Sequence, residues 1–214
     1  YDSNKRDLPW RDQVKFEDKA YAVWVSEIML QQTRVATVID YWSRWMAKWP
    51  TVESLAEASL EEVNEMWSGL GYYRRAKMLH EGAKVVVEKH GGKLPSTVEG
   101  LKGIPGIGDY TAGAIGSIAF NIKTPLVDGN VIRVISRLRA FGADPKLSES
   151  VQGFWRVARS LVCEGVCVEK PGDLNQGLME LGATICTPTS PQCTVCPVRT
   201  HCSAFAESVR VPSL

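Results

Sequence analysis

No stretch of this chain supplies the roughly 20 consecutive apolar residues that a membrane-spanning helix needs. The most apolar run, Thr111 to Phe120, is half that length and is interrupted by Gly113 and Gly116. The opening segment, Tyr1 to Asp12, is polar and lacks the apolar centre of a secretion signal. Charge of one sign is also missing. Twenty-five basic residues meet 24 acidic ones, a net charge of +1 over 214 residues, so any basic surface must be local. Histidine is scarce: His80, His90 and His201 have no neighbouring serine motif, which gives no support to Ser–His–Asp chemistry. Cysteine is absent from the first 162 residues. A secreted disulfide scaffold spreads its cysteines through a small chain with little core, whereas this chain is 44% apolar and long enough to bury one. Strand alternation is rare, and no repeat or low-complexity stretch is present.

What is there is helical. Apolar residues recur at helical spacing over Ala22–Trp45 and again over Arg74–Lys89. Ser59 followed by Glu62 predicts a capping box that opens a helix through Met66 and Trp67. Further helices are expected over Tyr110–Phe120, Val131–Phe141, Ser150–Val162 and Leu174–Ile185. Pro50, Gly91-Gly92, Pro95, the segment from Gly103 to Gly108, Pro125 and Pro145 punctuate them. The expectation is an all-α protein with short connections. The abrupt ends of the chain are expected to be those of a piece of a longer protein.

Four of the six cysteines fall within seventeen residues, as Cys186-x6-Cys193-x2-Cys196-x5-Cys202. Four thiolates suit a 4Fe–4S cluster, one sulfur to each iron. Structural zinc usually shows two short-spaced pairs, and here there is one. Zinc and disulfides stay open as alternatives. The cluster reading implies a reducing, intracellular setting, with the metal stapling a loop too short to bury its own core. Cys163 and Cys167 read as small buried residues.

Between two helical stretches lies Leu101-Lys102-Gly103-Ile104-Pro105-Gly106-Ile107-Gly108-Asp109-Tyr110-Thr111. Gly103, Gly106 and Gly108 permit a tight turn and close backbone approach. Amides freed by the turn, with the helix that follows, form an anion site that would suit a duplex phosphate. Ile104 and Ile107 are expected to anchor the hairpin. No strand precedes it and no P-loop lysine follows, so it is not a nucleotide-binding loop.

This segment resembles the helix–hairpin–helix of the endonuclease III and MutY superfamily of DNA glycosylases. The resemblance extends to Pro125-Leu126-Val127-Asp128-Gly129-Asn130-Val131, where that superfamily carries a glycine–proline-rich segment with an aspartate, and to the cysteine spacing. It covers nearly the whole chain, from Leu8-Pro9-Trp10-Arg11 to Cys202. The fold it implies has two lobes. Residues 20–124 would form a six-helix lobe with the hairpin. Residues 1–19 and 125–214 would form a second helical lobe with the cluster, and DNA would bind across the cleft between the lobes.

Cleaving an N-glycosidic bond requires protonation of the leaving base and stabilisation of positive charge on the sugar. Two acids stand out. Glu27 is a lone acid in an apolar helix, with Gln31 and Arg34 expected on its face at i+4 and i+7. Burial would raise its pKa, and moving a Glu from ~4.3 toward ~6.5 implies about 3 kcal/mol of differential solvation. An Arg34 salt bridge is the structural alternative. Asp128 precedes a helix and also fits an N-cap, where the helix terminus would hold it anionic.

Relatives that also cut the strand carry a lysine just after the hairpin as Schiff-base nucleophile. Here that position is Tyr110, so no lyase step of that kind is expected. Gly129-Asn130, Ser26-Glu27-Ile28-Met29-Leu30-Gln31-Gln32-Thr33, Gly69-Leu70-Gly71-Tyr72-Tyr73 and Asn175-Gln176-x-x-Met179-Glu180-Leu181-Gly182 resemble MutY-type adenine glycosylases. The resemblance implies that Glu27 protonates the adenine ring and guides water. Asp128 stabilises the cationic sugar, and Tyr110 and Asn130 position Asp128 and the sugar. Trp10, Arg11, Leu30 and Glu180 line the pocket of the extruded adenine. Gln32 and Tyr72 wedge into the duplex, while Thr33 and Leu70 approach the opposing 8-oxoguanine. Arg74, Arg75, Lys77, Arg133 and Arg137 are placed for phosphates. Asp109 departs from the family, where many relatives have Arg.

The implied activity is monofunctional removal of adenine mispaired with 8-oxoguanine or guanine in double-stranded DNA, by a monomer. The implied location is the nucleus or mitochondrion of a eukaryote, or the cytoplasm of a bacterium. Relatives of this type continue into a C-terminal domain that inspects 8-oxoguanine. The chain stops soon after Cys202, so weakened lesion discrimination is implied. The rivals are a pyrimidine or thymine-mismatch glycosylase of the same superfamily and a non-catalytic iron–sulfur DNA-damage sensor.

Overall fold

A computed structural model describes residues 1, 5–11, 19–164 and 168–210. Among these residues there are eleven α-helices and no strand. The chain divides into two compact units, Asp7–Ile122 and Tyr1–Arg6 with Lys123–Leu214.

The first unit holds α1 (Lys19–Leu30), α2 (Val35–Lys48), α3 (Val52–Glu57), α4 (Leu60–Trp67), α5 (Arg74–His90), α6 (Val98–Lys102) and α7 (Asp109–Phe120). Helix α1 is its axis. Every residue from Ala20 to Met29 is buried, and α2, α5 and α7 pack around it. A helix surrounded in this way needs no amphipathic pattern. Tryptophans fill the space beside it. Trp45 meets Trp49 and Trp67 edge to face, with ring centroids 4.8 and 5.6 Å away. Two of their indole N–H groups have buried partners: Trp45 Nε1 donates to Tyr21 Oη at 3.1 Å, and Trp42 Nε1 to the Ala22 carbonyl at 3.1 Å.

Local signals explain most helix ends. Ser59 and Glu62 close the expected capping box at the start of α4. A second box, Thr51 with Ser54, starts α3, and Thr97 caps α6. These two short helices are not evident from periodicity because five or six residues hold too few turns to show one. The expected helix Ala22–Trp45 is in fact two. Gln32 lies in the left-handed region, φ +55°, and the chain breaks between Leu30 and Val35. Gln31 and Arg34 therefore share no helical face with Glu27, which corrects that expectation: Gln31 lies in the break and Arg34 is the N-cap of α2.

The second unit holds α8 (Gly129–Leu138), α9 (Ser148–Arg159), α10 (Pro171–Thr184) and α11 (Ser203–Arg210). Helix α8 is shorter than expected at its end, where Ala140 turns left-handed at φ +47°. The expected Ser150–Val162 helix changes pitch at Ser160 into a π-turn, Ser160–Glu164. Pro171 opens α10 at its first turn, where a missing N–H costs nothing. Helix α10 packs on α8, and α9 and α11 pack there too. Leu126, Val131, Val134, Ile135, Phe154, Ala158 and Val162 form the core.

Gly82 lies in the middle of α5, and a Cβ there would sit 2.8 Å from the Trp24 ring and 3.0 Å from the Ile104 side chain. Overpacking of this kind costs about 1–3 kcal/mol. The helix-propensity gain of alanine over glycine is about 1 kcal/mol. Gly82→Ala is therefore expected to lower the thermal midpoint by several degrees, measured by circular dichroism, despite its better helix propensity.

Candidate active site and cysteine loop

In the first unit, Glu27 is 6% exposed inside the apolar α1. Tyr110, second residue of α7, donates its hydroxyl to Glu27 Oε2 at 2.7 Å. The packing of α7 on α1 sets this pair, and it fixes the carboxyl orientation. Tyr110 was expected to position Asp128. In the structure its hydroxyl bonds Glu27, so the acid it orients here is Glu27.

The hairpin between α6 and α7 is tight. Gly106 has φ +83°, and a Cβ would come within 2.9 Å of Met78 Cβ. Ile104 and Ile107 are buried as expected. Gly103 ends α6, and Gly108 starts α7 without a side-chain cap. The first amides of α7 thus lack a side-chain acceptor from the N-cap, as an anion site requires. Lys102 and Asp109 pair at 2.5 Å across the hairpin, which supplies a cation beside the unexpected acid. The pair is exposed and raises the Lys102 pKa chiefly through the side-chain hydrogen bond to Asp109.

Trp10 is buried and packs edge to face on Trp42, 6.0 Å between centroids. Arg11 closes the turn Pro9–Arg11 through its amide on the Leu8 carbonyl. Leu30 ends α1. Gln32 and Tyr72 are exposed, and both have left-handed backbone, φ +55° and +48°. Thr33 is half-buried and Leu70 buried. Gly69 sits in the same loop as Leu70 and Tyr72, where a Cβ would collide with the Tyr41 hydroxyl. That hydroxyl bonds the Ser68 carbonyl at 2.7 Å.

Of the three cations expected at phosphates after Tyr73, Arg74 is exposed, and Lys77 pairs with Glu81 at 3.7 Å. Arg75 is turned inward instead. Nη1 donates to the carbonyls of Ile28, Met29 and Gln31, and Nη2 to Thr33 Oγ1 and the carbonyls of Leu70 and Gly71. Burial lowers its pKa. Both Nη groups are taken up inside the protein, chiefly by main-chain carbonyls, and the buried Nε has no partner among the described residues, so the fork is not turned outward to phosphate.

In the second unit, Asp128 is the N-cap of α8. Oδ1 accepts from the Val131 amide at 2.7 Å, and Oδ2 from Asn130 Nδ2 at 2.9 Å. Capping of α8 and the bond from Asn130 thus coexist on one carboxylate. Gly182 of α10 is what lets α10 approach Asn130: a Cβ there would lie 2.7 Å from Asn130 Cβ. Arg133 donates to Asn130 Oδ1 at 2.8 Å, the Gly182 carbonyl at 2.7 Å and the Cys186 carbonyl at 2.8 Å. Arg137 donates to Cys186 Sγ at 3.4 Å, the Thr187 carbonyl at 2.7 Å and the Pro188 carbonyl at 3.0 Å. Both were expected at phosphates. They hold the cysteine loop instead, one helical turn apart on α8.

Glu180 is 5% exposed, and Arg6 grips both its oxygens, Nε to Oε1 at 2.7 Å and Nη2 to Oε2 at 3.0 Å. Sequence reasoning missed Arg6. The signal was available in Glu180 itself, since a buried carboxylate inside a helix demands a cation.

Cys186, Cys193, Cys196 and Cys202 all line one cavity of about 210 Å³, with Arg137, Pro191 and Phe205 among its walls. Two single 3₁₀ turns, Cys193–Val195 and Arg199–His201, bring them there. Among the described residues, no three His, Cys, Asp or Glu side chains converge on a point that would hold one metal ion. Burial pushes the Cys196 thiol pKa up, the Val198 amide pulls it down, and the other three cysteines push it up further. Cys163 is away from this group, its thiol donating to the Lys123 carbonyl at 3.1 Å. Cys167 lies outside the described residues.

The chain is 59% identical to the adenine DNA glycosylase of Rattus norvegicus over 95% of its own length and 40% of that protein's. It thus spans less than half the length of this curated relative. A thermostable thymine-DNA glycosylase structure superposes with a TM-score of 0.81 at 31% identity, covering 96% of this chain and 91% of that one. A non-covalent endonuclease III–DNA complex shares the fold, with a TM-score of 0.73 at 24% identity over 89% of this chain and 86% of that one. Residues 25–159 match the model of the HhH-GPD superfamily of base excision DNA repair proteins. With hairpin, buried acid and capped aspartate in place, the chain belongs to that superfamily.

Proposed function

We propose that this chain is the catalytic core of an adenine DNA glycosylase, which hydrolyses the N-glycosidic bond of adenine mispaired with 8-oxoguanine or guanine in duplex DNA. One observation carries the chemistry. The residue after the hairpin is a tyrosine whose hydroxyl is bonded to a buried glutamate. A phenol forms no imine, so the site suits hydrolysis without a Schiff base. The choice of adenine follows the 59% identity to the rat adenine DNA glycosylase.

In this reading the adenine leaves the stack, because a base inside a duplex cannot reach buried groups. Glu27 gives its proton to a ring nitrogen of the base. The bond from the sugar C1′ to the base nitrogen breaks, and its electron pair leaves with the base. Asp128, held by the Val131 amide and Asn130, faces the cationic sugar as an anion. Water adds to C1′ and returns a proton to Glu27. Trp10, Arg11, Leu30 and Glu180 would line the base pocket, with Arg6 fixing Glu180. The hairpin glycines Gly103, Gly106 and Gly108 and exposed Arg74 would meet phosphates. Such an enzyme would work wherever the cell keeps DNA: the nucleus or mitochondrion of a eukaryote, or the cytoplasm of a bacterium.

Cys186, Cys193, Cys196 and Cys202 would hold a 4Fe–4S cluster. Thiols spaced around a cavity, rather than aimed at one point, suit a cubane whose four irons each take one sulfur. Such a group supplies a cross-link for a loop that has no core of its own. Arg133 and Arg137 would transmit that order to α8, on which Asp128 sits.

A second reading is favoured by the thymine-DNA glycosylase structure at 31% identity. The released base decides between them. Free adenine from an A:8-oxoguanine duplex, with no strand cleavage before alkali, is the expected result. Thymine from a mismatch, without adenine, would establish the second reading.

Glu27→Gln is expected to slow single-turnover base release by about 10²–10⁴-fold, the usual contribution of a general acid. Duplex affinity should be nearly unchanged, and it should fall with rising salt. Base release at the original rate would remove Glu27 from the chemistry. Cys196→Ser is expected to lower bound iron and sulfide, the melting temperature and DNA affinity together. Loss of iron with both other properties intact would remove the loop's structural role.

A further inference from the structure

Two loops of the first unit share an unusual backbone. Loop 31–34 places Gln32 at φ +55°, and loop 68–73 places Tyr72 at φ +48°. Neither is glycine. Such conformations persist only where the surroundings over-determine them. Arg75 is what the two loops have in common. It takes the Gln31 carbonyl and Thr33 Oγ1 on one side, and the Leu70 and Gly71 carbonyls, both at 3.1 Å, on the other. It also takes the Ile28 and Met29 carbonyls at 3.1 and 2.9 Å, in the last turn of the helix that carries Glu27. The guanidinium lies 5.2 Å from the Trp67 ring and 5.6 Å from the Tyr72 ring. Trp67 in turn donates to the Gly71 carbonyl at 2.9 Å.

The chemistry of this arrangement belongs to arginine alone. A planar fork reaches carbonyls in two loops at once and stacks on rings, whereas an ammonium is a point charge with three donors. The positive charge also neutralises the carbonyl end of α1. Removing the fork leaves six oxygens without this donor and frees both loops.

We propose that Arg75 is a positioning residue that fuses loops 31–34 and 68–73 into one rigid wedge, so that Gln32 and Tyr72 enter the duplex together and distinguish a mispair from a matched pair. This rests on the reading of the chain as a duplex-binding glycosylase core. Groups already in place pay no ordering cost when they replace lost stacking. A mispair opens at lower cost than a matched pair, so a rigid wedge amplifies that difference. A loose wedge no longer holds the mispair open at an advantage, so the preference is lost.

The test compares Arg75→Lys and Arg75→Met in the full-length protein. Binding is measured on a Glu27→Gln background with duplexes carrying A:8-oxoguanine or A:T at the same position. The ratio of the two dissociation constants is expected to fall about tenfold in both variants, with A:T affinity changed less than about twofold. Lysine keeps the charge but not the fork, so it should not rescue the ratio. Hydrogen exchange should rise together in loops 31–34 and 68–73, and stay unchanged in the hairpin 103–108. A folded variant with the original ratio overturns the proposal, and so does loosening of one loop alone. Where Arg75→Met does not fold, Arg75→Lys carries both measurements. If the unmutated protein shows no mispair preference, the glycosylase reading has failed, and the exchange pattern still decides whether Arg75 couples the loops.

Discussion

Arg75, Arg133 and Arg137 each give several N–H groups to main-chain carbonyls, and the irregular segments they bind take their shape from those bonds. A guanidinium drawn out of bulk water needs several acceptors at fixed angles. Loops present carbonyls that no helix satisfies. Each need answers the other. Arg75 gathers the end of α1 and two loops around one planar group, and Arg133 and Arg137 do the same for the cysteine loop from a single face of α8. A loop held in this way has far less freedom than one held by apolar contacts alone.

The carboxylates follow the same constraint with different partners. Glu27 takes a neutral hydroxyl from Tyr110, Glu180 a bidentate guanidinium from Arg6, and Asp128 a helix amide with the Asn130 amide group. These are three distinct electrostatic settings. A hydroxyl donor orients an acid without adding a full positive charge beside it. A guanidinium at both oxygens locks a carboxylate as an anion. A helix N-terminus supplies an amide donor while leaving the carboxylate half-exposed. Division of roles between acid and anion needs environments that differ in this way.

Much of this was legible in the residues. The helical class, the Ser59–Glu62 box, the buried Ile104 and Ile107, and the superfamily membership were readable because each rests on a local pattern. Glu27 stood out as a lone acid in an apolar run, and it is buried. The break after Leu30 was not readable, since apolar spacing continues across it and the cause, Arg75, lies more than forty residues away. Three of the cations expected at phosphates, Arg75, Arg133 and Arg137, bind their own main chain for the same reason, while Arg74 is exposed. Charge and helical position do not tell whether a long side chain folds back onto its own chain.

Sequence by itself determined the helical class, most of the long helices, the Ser59–Glu62 cap, the hairpin glycines and the set of four cysteines, because these depend on residues close along the chain. Tertiary structure alone decided the partners: Tyr110 for Glu27, Arg6 for Glu180, Arg75 for two loops, Arg133 and Arg137 for the cysteine loop. Glycine at 182 belongs to both lists. It is a motif residue in the sequence, but its purpose is a 2.7 Å approach to Asn130 that only packing of α10 on α8 creates. The division has one physical cause. Hydrogen bonds within a turn are fixed by neighbours in sequence, whereas a buried charge is satisfied by whatever the fold brings to it.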